Sequence, residues 1–105
     1  MKYKKLMTTN EVLGLLGERI KATRVKKAMT QGEFAKVANV TLLTIHNAEA
    51  GKVIRTDTLI NIIRALGALD NIDNLIPEPS LSISQMEKIE KIQTEKVRVR
   101  KKSNE

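Results

Sequence analysis

A chain of 105 residues, 41% of them hydrophobic, holds one small domain with only just enough apolar material for a core. Tyr3 and Phe34 are its only aromatic residues, and cysteine is absent. The core is therefore aliphatic, a disulfide framework or thiolate metal site is excluded, and a reducing cytosol is the natural compartment. No apolar run approaches the roughly 18–20 residues that span a bilayer. The basic start MKYKK is not followed by an apolar signal segment, so secretion is not expected. The net charge of +7 is unevenly placed: residues 1–55 carry 11 Lys/Arg against 4 Asp/Glu, residues 56–85 carry 1 against 4, and residues 86–105 carry 7 against 4. A polyanion is attracted to the first stretch and to the last.

The patterning predicts an all-α chain. Residues 1–8 form a basic arm. Thr9 or Asn10 caps a first helix running to about Lys27, with Val12, Leu13, Leu16 and Ile20 on one face. Gly14 and Gly17 weaken its first part. Thr30 followed by Glu33 is a capping box that starts a second helix, in which Phe34, Ala35 and Ala38 share a face. Asn39 tolerates the left-handed conformation of a tight turn, and Val40 points back inward. Thr41 caps a third helix with Ile45 and Ala48 inward, ended by Gly51. Small Ala35 suits a steep crossing of the second and third helices. Two short helices joined in this way have the spacing of a DNA-reading helix-turn-helix.

After the connection 53–55, Thr56 caps a fourth helix with Leu59, Ile62, Ile63 and Leu66 inward, closed by Gly67. Asp70 caps a short fifth helix that buries Ile72 and Leu75. Pro77 and Pro79 then break the chain, so the domain spans 9–76 and an extension spans 77–105. Ser84 and Glu87 form a second capping-box pattern. Met86, Ile89 and Ile92 then give either a short amphipathic helix or a frayed, disordered segment. Val97 and Val99 alternate with Arg98 and Arg100 in a basic tail. That tail is either solvated and mobile or applied to DNA phosphates or an acidic protein. There is no internal repeat.

The segment Thr30 to Lys52, TQGEFAKVANVTLLTIHNAEAGK, resembles the helix-turn-helix of the lambda-repressor-like family, the Cro and repressor type of regulators (XRE family). The likeness extends to LLGERIKATRVKKAMT before it and TDTLINIIRALG after it, roughly two-thirds of the chain. The resemblance implies an all-α, five-helix DNA-binding domain followed here by a basic C-terminal tail. In the family, the N-terminal part of the second motif helix enters the major groove. This assigns base reading to Thr41, Leu42, Leu43, Thr44 and Asn47. Two adjacent leucines on a short helix cannot both face inward, so at least one is exposed, free to contact a thymine methyl group. Asn47 suits adenine N6 and N7. Relatives often carry Arg or Gln along this face, and their absence points to A·T-rich half-sites. Gln31 matches a family residue that meets a phosphate at the start of the first motif helix. Lys36, His46, Lys52 and Arg55 complete the phosphate-contacting set. Glu49 is structural, capping or pairing at the helix end. Ala28 stands where relatives often have Gly, which implies mild strain or a longer helix. Ala48 replaces a larger aliphatic residue, so packing there is looser, or is filled by Met29 or Leu43.

The family binds inverted-repeat operators as a homodimer, and the dimer contact is expected at Leu69, Ile72, Leu75 and Ile76. The pattern RALGALDNIDNLIPEPSLS, running into a basic tail, resembles the HipB-type antitoxins of Hip toxin–antitoxin modules. Their partner is a serine/threonine-kinase-like, HipA-type toxin, and Met86, Ile89 and Ile92 would dock it. The other reading is a stand-alone phage-type repressor or restriction–modification controller. An RNA-binding module lacks stacking aromatics on a sheet. One His, no Cys, no phosphate loop and no clustered carboxylates leave no catalytic set. No enzyme activity, metal or cofactor is expected, and the place of action is the cytoplasm, on the nucleoid.

Overall fold

The computed structural model describes residues 5–103, with side chains through residue 95. The described residues are helical without a strand: α1 (Thr9–Lys26), α2 (Gln31–Ala38), α3 (Leu42–Glu49), α4 (Thr56–Ala65), a 3-10 turn (Leu69–Asn71), α5 (Ile72–Leu75) and α6 (Ile83–Ser103). The chain divides into two compact units, Met1–Ile72 and Asp73–Glu105.

In the first unit, α3 packs on α1 and α2, and α2 packs on α4. Ile20, Phe34, Ala35, Ala38, Ile45, Ala48, Ile62 and Leu66 form its core, and Leu16, Met29, Val40, Ile54 and Ala65 pack around them. Phe34, Ile45 and Ile62 are completely buried. Truncating one of these to alanine costs about 2–5 kcal/mol, from lost transfer energy and the cavity left behind.

The helix starts are local. Thr30 accepts from the Glu33 N–H, and the Glu33 carboxylate returns the bond to the Thr30 N–H, the expected capping box. At α1 the cap is Thr8, not Thr9 or Asn10. The carboxylate that completes its capping box is Glu11, three residues on, a partner the later positions lack. Thr56 does not cap α4. Arg55 holds the cap position without a side-chain bond, and Thr56 is already helical. Nor does Asp70 cap the fifth helix. The 3-10 turn starts from Ala68, and Asp70 lies within it. Ile72 is half-buried, but Leu75 is 61% exposed, because a four-residue helix turns too little of its surface inward to bury both.

The helix stops repeat one device. Ala28, Asn39, Gly51 and Gly67 all have φ between 56° and 76°. In each case the next N–H reaches a carbonyl five residues back: Met29 to Arg24, Val40 to Ala35, Lys52 to Asn47 and Ala68 to Ile63. A left-handed residue followed by this closing bond satisfies carbonyls that a helix end leaves unpaired. Asn39 is suited to that position. Ala28 is not, and a Cβ there costs about 1 kcal/mol.

Glycine at position 17 has a use that helix propensity hides. A methyl group on Gly17 would lie 2.6 Å from the Ala48 carbonyl oxygen and 2.7 Å from that of Glu49. A Cβ on Gly51, which has φ 76°, would lie 2.9 Å from the Gly14 Cα. The α1–α3 crossing is thus a backbone-to-backbone contact. Ala48 is 4% exposed, Met29 packs against the core it belongs to, and Leu43, 66% exposed, does not fill the space beside it.

In the second unit, α6 starts one capping pair earlier than the sequence suggests. Ser82 accepts from the Gln85 N–H at 3.2 Å, and the Gln85 side-chain oxygen accepts from the Ser82 N–H at 2.8 Å. Ser84 and Glu87 therefore lie inside the helix. With 21 residues, α6 is neither short nor broken at the Val97–Val99 alternation, whose backbone is helical. Ile83, Met86, Ile89 and Ile92 on it are between 40% and 77% exposed.

Candidate nucleic-acid interface

The site is built around α3, an eight-residue helix held from behind and from its C-terminal end. Ile45 and Ala48 bury its inner face. At its end, Glu49 receives three hydrogen bonds: from Arg24 Nε at 2.7 Å, from Arg24 Nη2 at 3.0 Å and from Gln31 Nε2 at 3.1 Å. The remaining Arg24 nitrogen, Nη1, donates to the Met29 carbonyl at 2.8 Å. Both charged side chains are at least nine-tenths buried. The network joins the end of α1, the α1–α2 turn, the start of α2 and the end of α3.

Charge and hydrogen bonding support each other in this network. The bond to Glu49 raises the Arg24 pKa further above its ordinary value, against the effect of burial. Burial alone would raise that of Glu49. Hydrogen bonds from Arg24 and Gln31, and the charges of Arg24 and Lys21, more than reverse this and hold the carboxyl below its ordinary range. No buried side-chain polar atom is left without a partner among the described residues. Glu49 thus has the structural role expected of it. Arg24 escaped sequence reasoning, although a signal was present: it lies four residues after Ile20, on the buried face of α1.

The opposite end of α3 is open. Thr41 caps it, accepting from the Thr44 N–H at 3.1 Å, and the two threonine hydroxyls lie 2.8 Å apart. Leu42 and Leu43 are 55% and 66% exposed, so the expectation of at least one exposed leucine is met by both. His46 is exposed one turn further on, and Asn47 is half-buried. The candidate base readers Thr41, Leu42, Leu43, Thr44 and Asn47 are thus all displayed on one short helix or at its cap.

The candidate phosphate contacts differ in availability. Lys36 on α2 and Lys52 after α3 are exposed. Arg55 forms a surface pair with Asp57 at 3.2 Å, a contact weak enough to exchange for another anion. Gln31 is half-buried with its amide nitrogen committed to Glu49, which leaves its carbonyl and the helix N-terminus as its outward features. Of the expected dimer residues in the first unit, Leu69 is 40% exposed and Ile72 half-buried. In the second unit, Leu75 and Ile76 are 61% and 82% exposed.

Residues 20–70 match the family model described as Helix-turn-helix. No curated protein matches the chain. The match spans α2, α3 and α4 together with the last two turns of α1, the elements that share the core. With the all-helical architecture, it supports the lambda-repressor-like family and makes this an all-α, lambda-repressor-like fold. It also supports a DNA-binding transcription regulator. No helix among the described residues is long and apolar enough to cross a membrane.

Proposed function

We propose that this chain is a sequence-specific transcriptional repressor that binds an inverted-repeat operator as a homodimer, with the first turns of α3 in the major groove. The observation that carries this reading is the asymmetry of α3. Its C-terminal end is locked by Arg24, Glu49 and Gln31, while its N-terminal side chains project into solvent without packing duties. A rigidly held helix with an unpacked first turn is what base reading requires. Lys36, Lys52 and Arg55, with His46 and Gln31, supply phosphate contacts that fix register. A single short helix reads few base pairs, so two copies engage half-sites about 34 Å apart. Exposed apolar side chains at Leu69, Leu75 and Ile76, with Ile72, supply the dimer contact. Enrichment of an inverted repeat from a random duplex library, with a dimer in sedimentation, is the expected result. A monomer at micromolar concentration without sequence preference overturns the reading.

The finer reading is that of an antitoxin repressing its own operon and holding a serine/threonine-kinase-like toxin. Its support is the likeness of residues 64–82 to the Hip-type antitoxins and the exposed Met86, Ile89 and Ile92 on α6. Pull-down from native cell extract, with bound protein and DNA both identified, tests it. A kinase-like protein recovered with the chain's own promoter supports the antitoxin. Promoter DNA alone leaves a stand-alone repressor or restriction–modification controller. Deleting residues 84–105 should spare operator binding and reduce toxin binding.

A further inference from the structure

The first turn of α3 carries two isobutyl groups where hydrogen-bonding readers would serve general base recognition. Leu42 and Leu43 are exposed, while the hydroxyls of Thr41 and Thr44 are engaged with each other and with the helix cap. The stretch from Thr41 to Ala50 contains no Lys, Arg or Gln. Its carboxylate, Glu49, is committed to Arg24 and Gln31. In the major groove, base pairs differ in their donors and acceptors and in one apolar feature, the 5-methyl group of the pyrimidine. A leucine side chain senses only the last.

We propose that Leu42 and Leu43 make this protein a reader of pyrimidine 5-methyl groups, at the base steps that the first turn of α3 meets. This rests on the reading of α3 as the recognition helix. At those steps the protein distinguishes thymine from uracil and 5-methylcytosine from cytosine, since each pair differs by this methyl group alone. Leucine does not sense the exocyclic groups that separate thymine from 5-methylcytosine. Cytosine methylation within a target site is therefore a positive input to binding at these steps.

The test uses the full chain and a duplex site selected from a random library. Each thymine is replaced in turn by deoxyuridine, which removes only the methyl group. Cytosine and 5-methylcytosine, each opposite guanine, are compared at the same positions. One buried methyl group corresponds to about a fourfold change in affinity. That loss is expected for deoxyuridine at one or two positions per half-site, with a gain of similar size for 5-methylcytosine over cytosine. Leu42→Ala or Leu43→Ala should shrink the thymine–deoxyuridine difference. Equal binding of thymine and deoxyuridine duplexes at every position overturns methyl reading while leaving specific DNA binding intact. Enrichment of no sequence at all overturns the recognition-helix reading instead. The base analogues alter only the DNA, so the result does not depend on how a leucine variant folds.

Discussion

Replacing Gly14 and Gly17 by alanine, one at a time, should change stability in opposite directions. Both glycines lie in α1, three residues apart. Propensity alone makes each change favourable by about 0.8–1 kcal/mol in a helix interior. A methyl group on Gly14 meets nothing within 4 Å, so Gly14→Ala should keep most of that gain. The same group on Gly17 falls 2.6 Å and 2.7 Å from two α3 carbonyl oxygens. Those are backbone atoms that cannot rotate aside, so α1 and α3 must move apart. Overpacking of this kind costs about 1–3 kcal/mol, occasionally more. Set against the propensity gain, Gly17→Ala comes out destabilising by up to about 2 kcal/mol. Urea unfolding followed by circular dichroism reads the difference as midpoints moving in opposite directions at constant slope. A domain of this size moves its melting temperature by about 4–8 °C per kcal/mol, so a thermal scan checks it independently. A Gly17→Ala protein as stable as the Gly14→Ala protein would refute the close approach of the two backbones.

Ala28→Gly should stabilise the domain by about 1 kcal/mol in the same assay, because the left-handed φ of 57° then carries no Cβ penalty. Glu49→Ala should cost about 3–5 kcal/mol by leaving Arg24 buried and unpaired. The depressed Glu49 pKa also gives stability a pH dependence. The contribution is present above the ordinary carboxyl value of 4.5 and is lost as pH falls through the lower folded value. Denaturation midpoints measured from pH 7 down to 3 should show this loss in the parent and less of it in Glu49→Gln. Asn47→Ala should lose about 1–3 kcal/mol of sequence discrimination in competition binding, whereas Lys52→Ala should weaken all sequences alike and lower the salt slope by about 1.

The helix-turn-helix was legible because its signals are local. Thr30 with Glu33, Asn39 in the turn and Thr41 at the next cap each act within a few residues, and the structure uses all three. The core of α2 and α3 was legible for the same reason, from periodicity alone. What escaped is what depends on a distant partner. Gly17 reads as a weak helix residue until Ala48 is seen opposite, and Arg24 reads as a surface charge until Glu49, 25 residues away, closes on it. The cap of α6 lies at Ser82 rather than Ser84 because Gln85, three residues after Ser82, completes a capping box there just as Glu87 would for Ser84. The two exposed leucines were only half foreseen, since spacing could not say that the inner face of α3 needs no more than Ile45 and Ala48.

The division of labour along α3 also bears on how such a protein changes over time. Ile45, Ala48 and Glu49 hold the helix in place, while Leu42, Leu43 and His46 face outward. Substitutions at these outward positions therefore leave the scaffold nearly as stable as before. On the proposed reading of α3 as the recognition helix, few mutations that alter a target sequence would need a compensating change elsewhere, because the side chains that hold the helix are not those that would meet the bases. On the same reading, a lineage built on this helix would drift from one operator to another through single substitutions, each intermediate remaining folded.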